Sequence, residues 1–165
     1  MTIQRIAKHM LTPHGHVKRT FSGNALLAIE KAIQASEASH AGEIRVAIES
    51  ALDGSPLFKG QSSRERALDV FSHLRVWDTE ENNGLLIYLL LADRAVEIVA
   101  DRGIHAKVGS EVWTGVCEQM KASFRQSKFE AGVLAGIQAV TRHLTVHFPA
   151  RGARRNELPD QPALL

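Results

Sequence analysis

Cysteine is almost absent from this chain of 165 residues, which contains a single one, Cys117. One thiol cannot form an intramolecular disulfide, and a lone cysteine is typical of proteins from a reducing compartment. A chain of this length buries about two thirds of its unfolded surface, so the fold needs neither a disulfide nor a metal ion for stability. We therefore expect one compact domain, in which any bound metal ion has a functional role.

Aromatic residues are also few, at 5% of the sequence, and none alternates with basic residues as in a base-stacking surface. Acidic residues are absent before Glu30, and the charge of this first part comes from Arg5, Lys8, Lys18 and Arg19. Because the net charge of the whole chain is only +2, the remainder is mildly acidic. A basic arm on an acidic body lacks the continuous basic surface of nucleic-acid-binding proteins, so we expect no nucleic-acid partner.

Long apolar runs are missing as well. The longest, Gly84–Ala92, has nine residues, about half of what a membrane-spanning helix needs. The first residues contain no apolar stretch of signal-peptide length. We expect no transmembrane segment and a cytoplasmic location.

The basic arm comprises residues 1–21. Its apolar residues recur at helical spacing and predict a short amphipathic helix over residues 2–11: Ile3, Ile6, Ala7, Met10 and Leu11. Such a helix either docks on the core of its own domain or lies on an anionic membrane or a partner protein. In the second case the candidate binding residues are Arg5, Lys8, Lys18 and Arg19.

The following residues alternate helical and extended patterns. Strict alternation over residues 43–49 predicts a half-covered strand, whereas residues 85–91 are apolar throughout, as in a strand buried on both faces. A short turn leads to a third strand over residues 96–101. Helices are expected over residues 22–39, after the capping box Ser62-Ser-Arg-Glu65, after a cap at Ser110, and after a second capping box, Ser127-Lys-Phe-Glu130.

The order of these elements predicts the topology. A helix separates the first two strands, so they are expected to be parallel, and the second and third strands form an antiparallel hairpin. The predicted fold is a single α/β domain over residues 22–149, with a three- or four-stranded mixed sheet (one βαβ crossover plus a hairpin) flanked by helices. Residues 150–165 show no periodicity and are expected to form an extended tail.

This topology brings one set of polar side chains to the same edge of the sheet, because the loop before the second strand lies beside the end of the third. The set is Asp78, Glu81, Asn83, Asp101 and His105, with Glu80 beside them. Oxygen ligands of this kind suit Ca²⁺ or Mg²⁺, and the sequence predicts a divalent-cation site here. The alternative is that these acids only solvate the loop. The opposite edge, with Asp53, Ser55 and Asp93, is the second choice.

Three common motifs of enzyme active sites are absent: the nucleophile motif Gly-x-Ser-x-Gly, the phosphate-binding Gly-x-x-x-x-Gly-Lys-Ser and the zinc motif His-Glu-x-x-His. Cys117 is expected on the buried side of a helix, without a neighbouring histidine to activate it. The catalytic residues, if there are any, stay unassigned.

Two stretches of the predicted sheet resemble the TPM-domain family: Asn82-Asn-Gly-Leu-Leu-Ile87 and Asp93-Arg-Ala-Val-Glu-Ile-Val-Ala-Asp-Arg-Gly-Ile104. The resemblance covers residues 22–147 and continues through Phe124-Arg125 and Phe129-Glu-Ala-Gly132. This family includes a thylakoid-lumen acid phosphatase-like protein and many bacterial membrane-associated proteins. The stretches Val76-Trp-Asp-Thr-Glu80 and Asn156-Glu-Leu-Pro-Asp160 are similar to a stand-alone, unanchored bacterial branch.

The resemblance implies a mixed sheet between helices, a role in membrane-protein maintenance and, in some members, divalent-cation binding or phosphatase activity. The usual family pattern after the third strand reads Thr-Gly-x-Gly-Leu-Glu, with an aspartate a few residues further on. Here the stretch is Ala100-Asp-Arg-Gly-Ile-His105, with Ser110 in place of that aspartate, so two acidic positions are absent.

Because of these two absences we expect an accessory binding domain. It would dock on a membrane protein or a membrane surface through the basic arm or through Arg151, Arg154 and Arg155. The alternative is a phosphatase, in which a cation polarises the phosphoryl oxygen and activates water.

Overall fold

The computed structural model describes residues 2–13, 15–152 and 155–165. The elements, in chain order, are α1 (Ile3–Leu11), α2 (His16–Thr20), α3 (Gly23–Glu37), β1 (Glu43–Glu49), α4 (Gly54–Phe58), α5 (Ser63–His73), β2 (Gly84–Leu90), β3 (Ala95–Ala100), α6 (Arg102–Val108), α7 (Ser110–Arg125), α8 (Phe129–His147) and β4 (Ala163–Leu164).

The strands form one sheet in the order β3-β2-β1-β4. β1 and β2 are parallel, with Glu43 opposite Gly84, and α4 and α5 lie between them in the chain. β2 and β3 are antiparallel, with Leu85 opposite Ala100. The predicted mixed sheet is therefore confirmed, and its fourth strand is β4, parallel to β1.

Helices cover both faces of the sheet. All seven residues of β2 are buried, as the unbroken apolar run predicts. Successive side chains of a strand point to opposite faces. Ile87 accordingly packs in the core formed with α3, α7 and α8, while Leu86 and Tyr88 pack in a second core with α5. Polar side chains collect at the starts and at the ends of β1 and β2, and we call these two sides the edges of the sheet.

Of the three predicted helix caps, one is confirmed and two are wrong. Ser62 and Glu65 form the expected capping box at the start of α5. The second box is wrong, because Ser127 takes a left-handed conformation (φ 59°) and ends α7 instead, while α8 begins at Phe129. The N–H of Ser127 donates to Phe124 O, and the N–H of Lys128 donates to Ser123 O. This is the pattern of a Schellman motif at the C-terminus of a helix. The cap at Ser110 is wrong as well, since Gly109 precedes α7 and Ser110 is already helical.

The tail is extended and is held alongside β1. Leu158 is buried, Arg45 donates to Pro159 O at 2.8 Å, and Leu165 N donates to Ile48 O at 2.9 Å. These bonds place the preceding tail residues over the starts of β1 and β2.

Candidate functional site

The loop before β2 lies against the segment after β3, as the hairpin geometry predicts. Gly103 N donates to Asn82 O at 3.0 Å, and Arg102 Nε donates to Asn82 Oδ1 at 2.9 Å. A Cβ atom at Gly103 would lie 2.5 Å from Asn82 O, so only glycine permits this approach. The backbone of the two segments therefore forms one tightly joined unit.

Acidic side chains of this unit line a cavity of about 510 Å³, which we call the site cavity. The loop contributes Asp78, Glu80 and Glu81 to its lining and the tail contributes further charged residues, and Glu80 N donates to Glu157 Oε2 at 2.9 Å. The lining residues are Ala41, Asp78, Glu80, Glu81, Arg151, Arg155, Asn156 and Glu157. Arg154 lies outside the described residues. The tail residues could not be assigned to this site from the sequence, because only the fold of the tail brings them there.

Asn83 and Asp101 lie near this cavity, but their side chains form hydrogen bonds with backbone groups. Asn83 is fully buried, and its Nδ2 donates to Ala41 O at 2.5 Å, which joins the starts of β1 and β2. Asp101 Oδ1 accepts from Arg102 N at 2.7 Å and caps α6. Within the described residues, Asn83 Oδ1 and Asp101 Oδ2 are buried without a hydrogen-bond partner. Both residues therefore have spare acceptor oxygens beside the loop.

His105 is not among the residues lining the site cavity. It lines a second cavity of about 310 Å³, between β3 and α7, together with Glu97, Trp113 and Cys117. Burial, and after it the charge of Glu97, raises the pKa of the Cys117 thiol to about 11, so this cysteine is not an activated nucleophile. Over residues 2–13, 15–152 and 155–165 no three His, Cys, Asp or Glu side chains form a ready-made metal-binding group.

A further group of carboxylates lies next to the site cavity and fixes the tail. Glu43 Oε2 accepts from the N–H groups of Glu157 and Leu158, both at 3.2 Å. Glu37 Oε1 accepts from Ile44 N at 2.7 Å. Burial, together with the charges of Glu43 and Asp160, raises the pKa of Glu37 to about 8. These carboxylates therefore hold the tail and the start of β1 in place next to the site cavity.

The opposite edge of the sheet, the second choice from the sequence, is occupied by α1. Arg5 donates to Asp93 Oδ2 through Nε at 3.0 Å and Nη2 at 2.8 Å. His9 is buried, and its Nδ1 accepts from Leu52 N at 2.9 Å, so its Nε2 carries the proton and donates to Asp93 Oδ1. Although burial opposes ionisation, these hydrogen bonds hold the pKa of Asp93 below its usual value. We call this group of three side chains the Asp93 latch.

The predicted binding residues of the arm divide into two kinds. Arg5 belongs to the Asp93 latch, whereas Lys8, Lys18 and Arg19 are exposed. Val17 N donates to Ser50 Oγ, so α2 docks at the end of β1, close to the attachment point of His9 at Leu52. The three exposed cations therefore lie at the same end of the sheet. None of the described helices has the length and hydrophobicity required to cross a bilayer.

These features define a single-domain α/β protein in which a mixed sheet lies between helices and carries, at one edge, a cavity lined by four acidic residues and two arginines. The TPM domain model matches residues 18–143, and the chain belongs to this family. No curated protein matches the chain.

Two solved structures are similar. The BA42 protein from the psychrophilic bacterium Bizionia argentinensis, determined by NMR, is 29% identical with a TM-score of 0.75, over 87% of this chain and 94% of that one. The N-terminal domain of a protein from P. gingivalis, also determined by NMR, is 19% identical with a TM-score of 0.63, over 85% and 94% of the two chains. The second similarity concerns the fold alone.

Proposed function

We propose that this chain is an accessory binding domain that serves membrane proteins and takes a divalent cation, Ca²⁺ or Mg²⁺, in the site cavity. The link to membrane proteins comes from the family resemblance. The observation that supports the cation is that Asp78, Glu80, Glu81 and Glu157 line one cavity. Asp78 and Glu81 form no side-chain hydrogen bond or ion pair with any residue that the structure describes, so their charges are available to a ligand.

In this proposal Asp78 and Glu81 supply ligand oxygens from the loop. Ca²⁺ accepts six to eight oxygen ligands in flexible geometry, so water and carbonyl oxygens complete its shell where carboxylates are too few. Asn83 fixes the start of β2 to Ala41, and Asp101 caps α6, so both support the site through the backbone. His105 has no part in the site because it lines the other cavity.

The test is a thermal melting curve with and without millimolar Ca²⁺ or Mg²⁺. A cation at a hundredfold excess over its Kd stabilises the native state by about 2.7 kcal/mol, which raises Tm by about 5 to 10 °C for a chain of this size. Asp78→Asn combined with Glu81→Gln should abolish the rise, and Asp101→Asn should reduce it less. Glu111→Gln, at an exposed position of α7, is the matched control and should keep the full rise. An unchanged wild-type Tm with both cations contradicts the cation site.

The alternative function is a metal-dependent phosphatase, and Arg151 and Arg155 are the observation that favours it. Both line the site cavity, and guanidinium groups beside a divalent cation are suited to a phosphoryl group. With p-nitrophenyl phosphate and Mg²⁺ we expect no release of phosphate. Turnover that is lost in Asp78→Asn and kept in Glu111→Gln would replace the binding role with the phosphatase.

A further inference from the structure

The exposed face of α1 is apolar, although the helix is docked on the domain. Ile3 is 85% exposed, Met10 69% and Leu11 82%. With Ala7, which is also exposed, they have the spacing i, i+4, i+7 and i+8 of one helix face. Burying these side chains in the domain would stabilise it, so their exposure needs a physical explanation.

The Asp93 latch provides that explanation. Arg5 and His9 are four residues apart and lie on the side of α1 that faces the domain, where both bind Asp93. Ile6, which lies between them, is the apolar residue of α1 that packs against the domain core. Because the polar side of the helix points inward, the apolar side must point outward. The sequence does not show this, since in most surface helices the apolar face is the buried one.

The charges around this face are mainly positive. Lys8 borders the apolar face on α1 itself, and Lys18 and Arg19 are exposed on α2 at the same end of the sheet. Asp93 is neutralised within the latch. On the neighbouring α4, Asp53 and Lys59 offset one another at the two ends, and Phe58 adds a 60% exposed aromatic side chain.

We infer that the apolar face of α1 docks on the surface of an anionic lipid bilayer. A short helix with an apolar face and flanking lysines lies in the plane of the membrane interface, with its apolar side chains among the acyl chains and its cations at the headgroups. The latch holds this helix in a fixed orientation, so the apolar face is presented in advance and no helix has to form on binding. The inference rests on the proposed function only in treating the chain as a binding domain that works at membranes.

The experiment is co-sedimentation of the full chain with phosphatidylcholine vesicles, with and without phosphatidylserine, at low and high salt. EDTA is present throughout, so the result does not depend on the cation site. We expect binding to the anionic vesicles that falls with rising salt, and each of Lys8→Ala, Lys18→Ala and Arg19→Ala should weaken it about fivefold. Met10→Gln combined with Leu11→Gln should weaken it about tenfold or more, because the apolar contact is lost.

Val146→Gln is the matched control, because Val146 is 73% exposed on α8. It should bind like the wild type. Equal pelleting of the Met10/Leu11 double variant and the wild type overturns the inference, as does equal binding to neutral and anionic vesicles. Binding to native membranes that is lost after their treatment with protease, without binding to protein-free vesicles, assigns the face to a protein partner and also overturns it. A Ca²⁺-dependent rise in Tm that survives in the double variant shows that the cation proposal stands separately.

Discussion

The two ends of the sheet carry the same type of acidic side chain and use it differently. At the end where β1 and β2 finish, Asp93 accepts hydrogen bonds from Arg5 and His9 at 2.8 to 3.0 Å. At the other end, Asp78 and Glu81 line the site cavity without a side-chain partner among the described residues. A compensated carboxylate stabilises the fold, whereas an uncompensated one retains its charge for a ligand. By the role of these carboxylates we call the first end the structural edge and the second, after the proposed cation site, the binding edge.

The largest expected effect concerns the backbone of the binding edge. A Cβ atom at Gly84 would lie 1.9 Å from Val76 O, so Gly84→Ala forces the start of β2 away from the preceding loop. We expect a loss of about 3 kcal/mol in the free energy of unfolding, measured by urea denaturation. Gly115→Ala is the control, because nothing lies within 4 Å of its Cβ position in α7. It should stabilise the chain by about 0.5 to 1 kcal/mol, and equal effects of the two variants would contradict this interpretation.

Asp93→Asn weakens the Asp93 latch at the structural edge. The variant loses the charge that receives three hydrogen bonds, so we expect a loss of about 2 kcal/mol at neutral pH. Because the pKa of Asp93 is lower in the folded state, its contribution is present above the unfolded value of about 4 and disappears as pH falls through the folded value. Urea midpoints of the variant and the wild type should therefore converge in acid. A constant difference over the whole pH range would exclude the ionised latch.

Glu37→Gln tests the carboxylate beneath the tail at the binding edge. Its pKa is raised to about 8 in the folded state, so its contribution to stability is fully present below the unfolded value of 4.5 and is lost as pH rises through 8. Glutamine keeps an acceptor for Ile44 N and carries no charge. Between about pH 6 and about pH 7.5 the difference in stability should therefore shift in favour of the variant by about 2 kcal/mol. A parallel pH dependence of variant and wild type would show that Glu37 titrates normally.

The smallest expected effect on stability is at Glu81. Glu81→Gln removes a charge that has no partner among the described residues, so the free energy of unfolding without added cation should stay within about 0.5 kcal/mol of the wild type. The same urea measurement serves, with Asp93→Asn as the contrasting variant. A loss as large as that of Asp93→Asn would mean that Glu81 is structural.

Local patterns of the sequence predict the centre of the fold well. The apolar run at residues 85–91 and the alternation at residues 43–49 identify the two parallel strands. The expectation that the strand over residues 43–49 is half-covered is wrong, because six of the seven residues of β1 are buried. Its polar residues Glu43 and Glu49 are buried as hydrogen-bond acceptors, which the alternation does not reveal. The Ser62 capping box is a contact over three residues, so it too can be predicted locally. The Ser127 box has the same letters and fails because the end of α7 imposes a left-handed conformation there.

Features that depend on distant partners could not be predicted. β4 has only two residues, and its pairing depends on the course of the preceding tail. The orientation of α1 is set by Asp93, which is 88 residues from Arg5 in the chain. The loop before β2 meets the segment after β3, as the predicted hairpin requires, but the presence of Glu157 and the arginines at the site cavity depends on the folded tail.

The buried state of Cys117 has a practical consequence for labelling chemistry. Maleimide and disulfide reagents attack the thiolate, and a thiol that is largely buried and has its pKa raised to about 11 reacts slowly at neutral pH. A cysteine introduced at an exposed position outside the proposed binding residues, such as Gln4 or Trp77, would therefore be modified selectively in the otherwise natural chain. A probe at Gln4 would then test the inferred lipid contact, and a probe at Trp77 the proposed cation site, without removal of the native thiol.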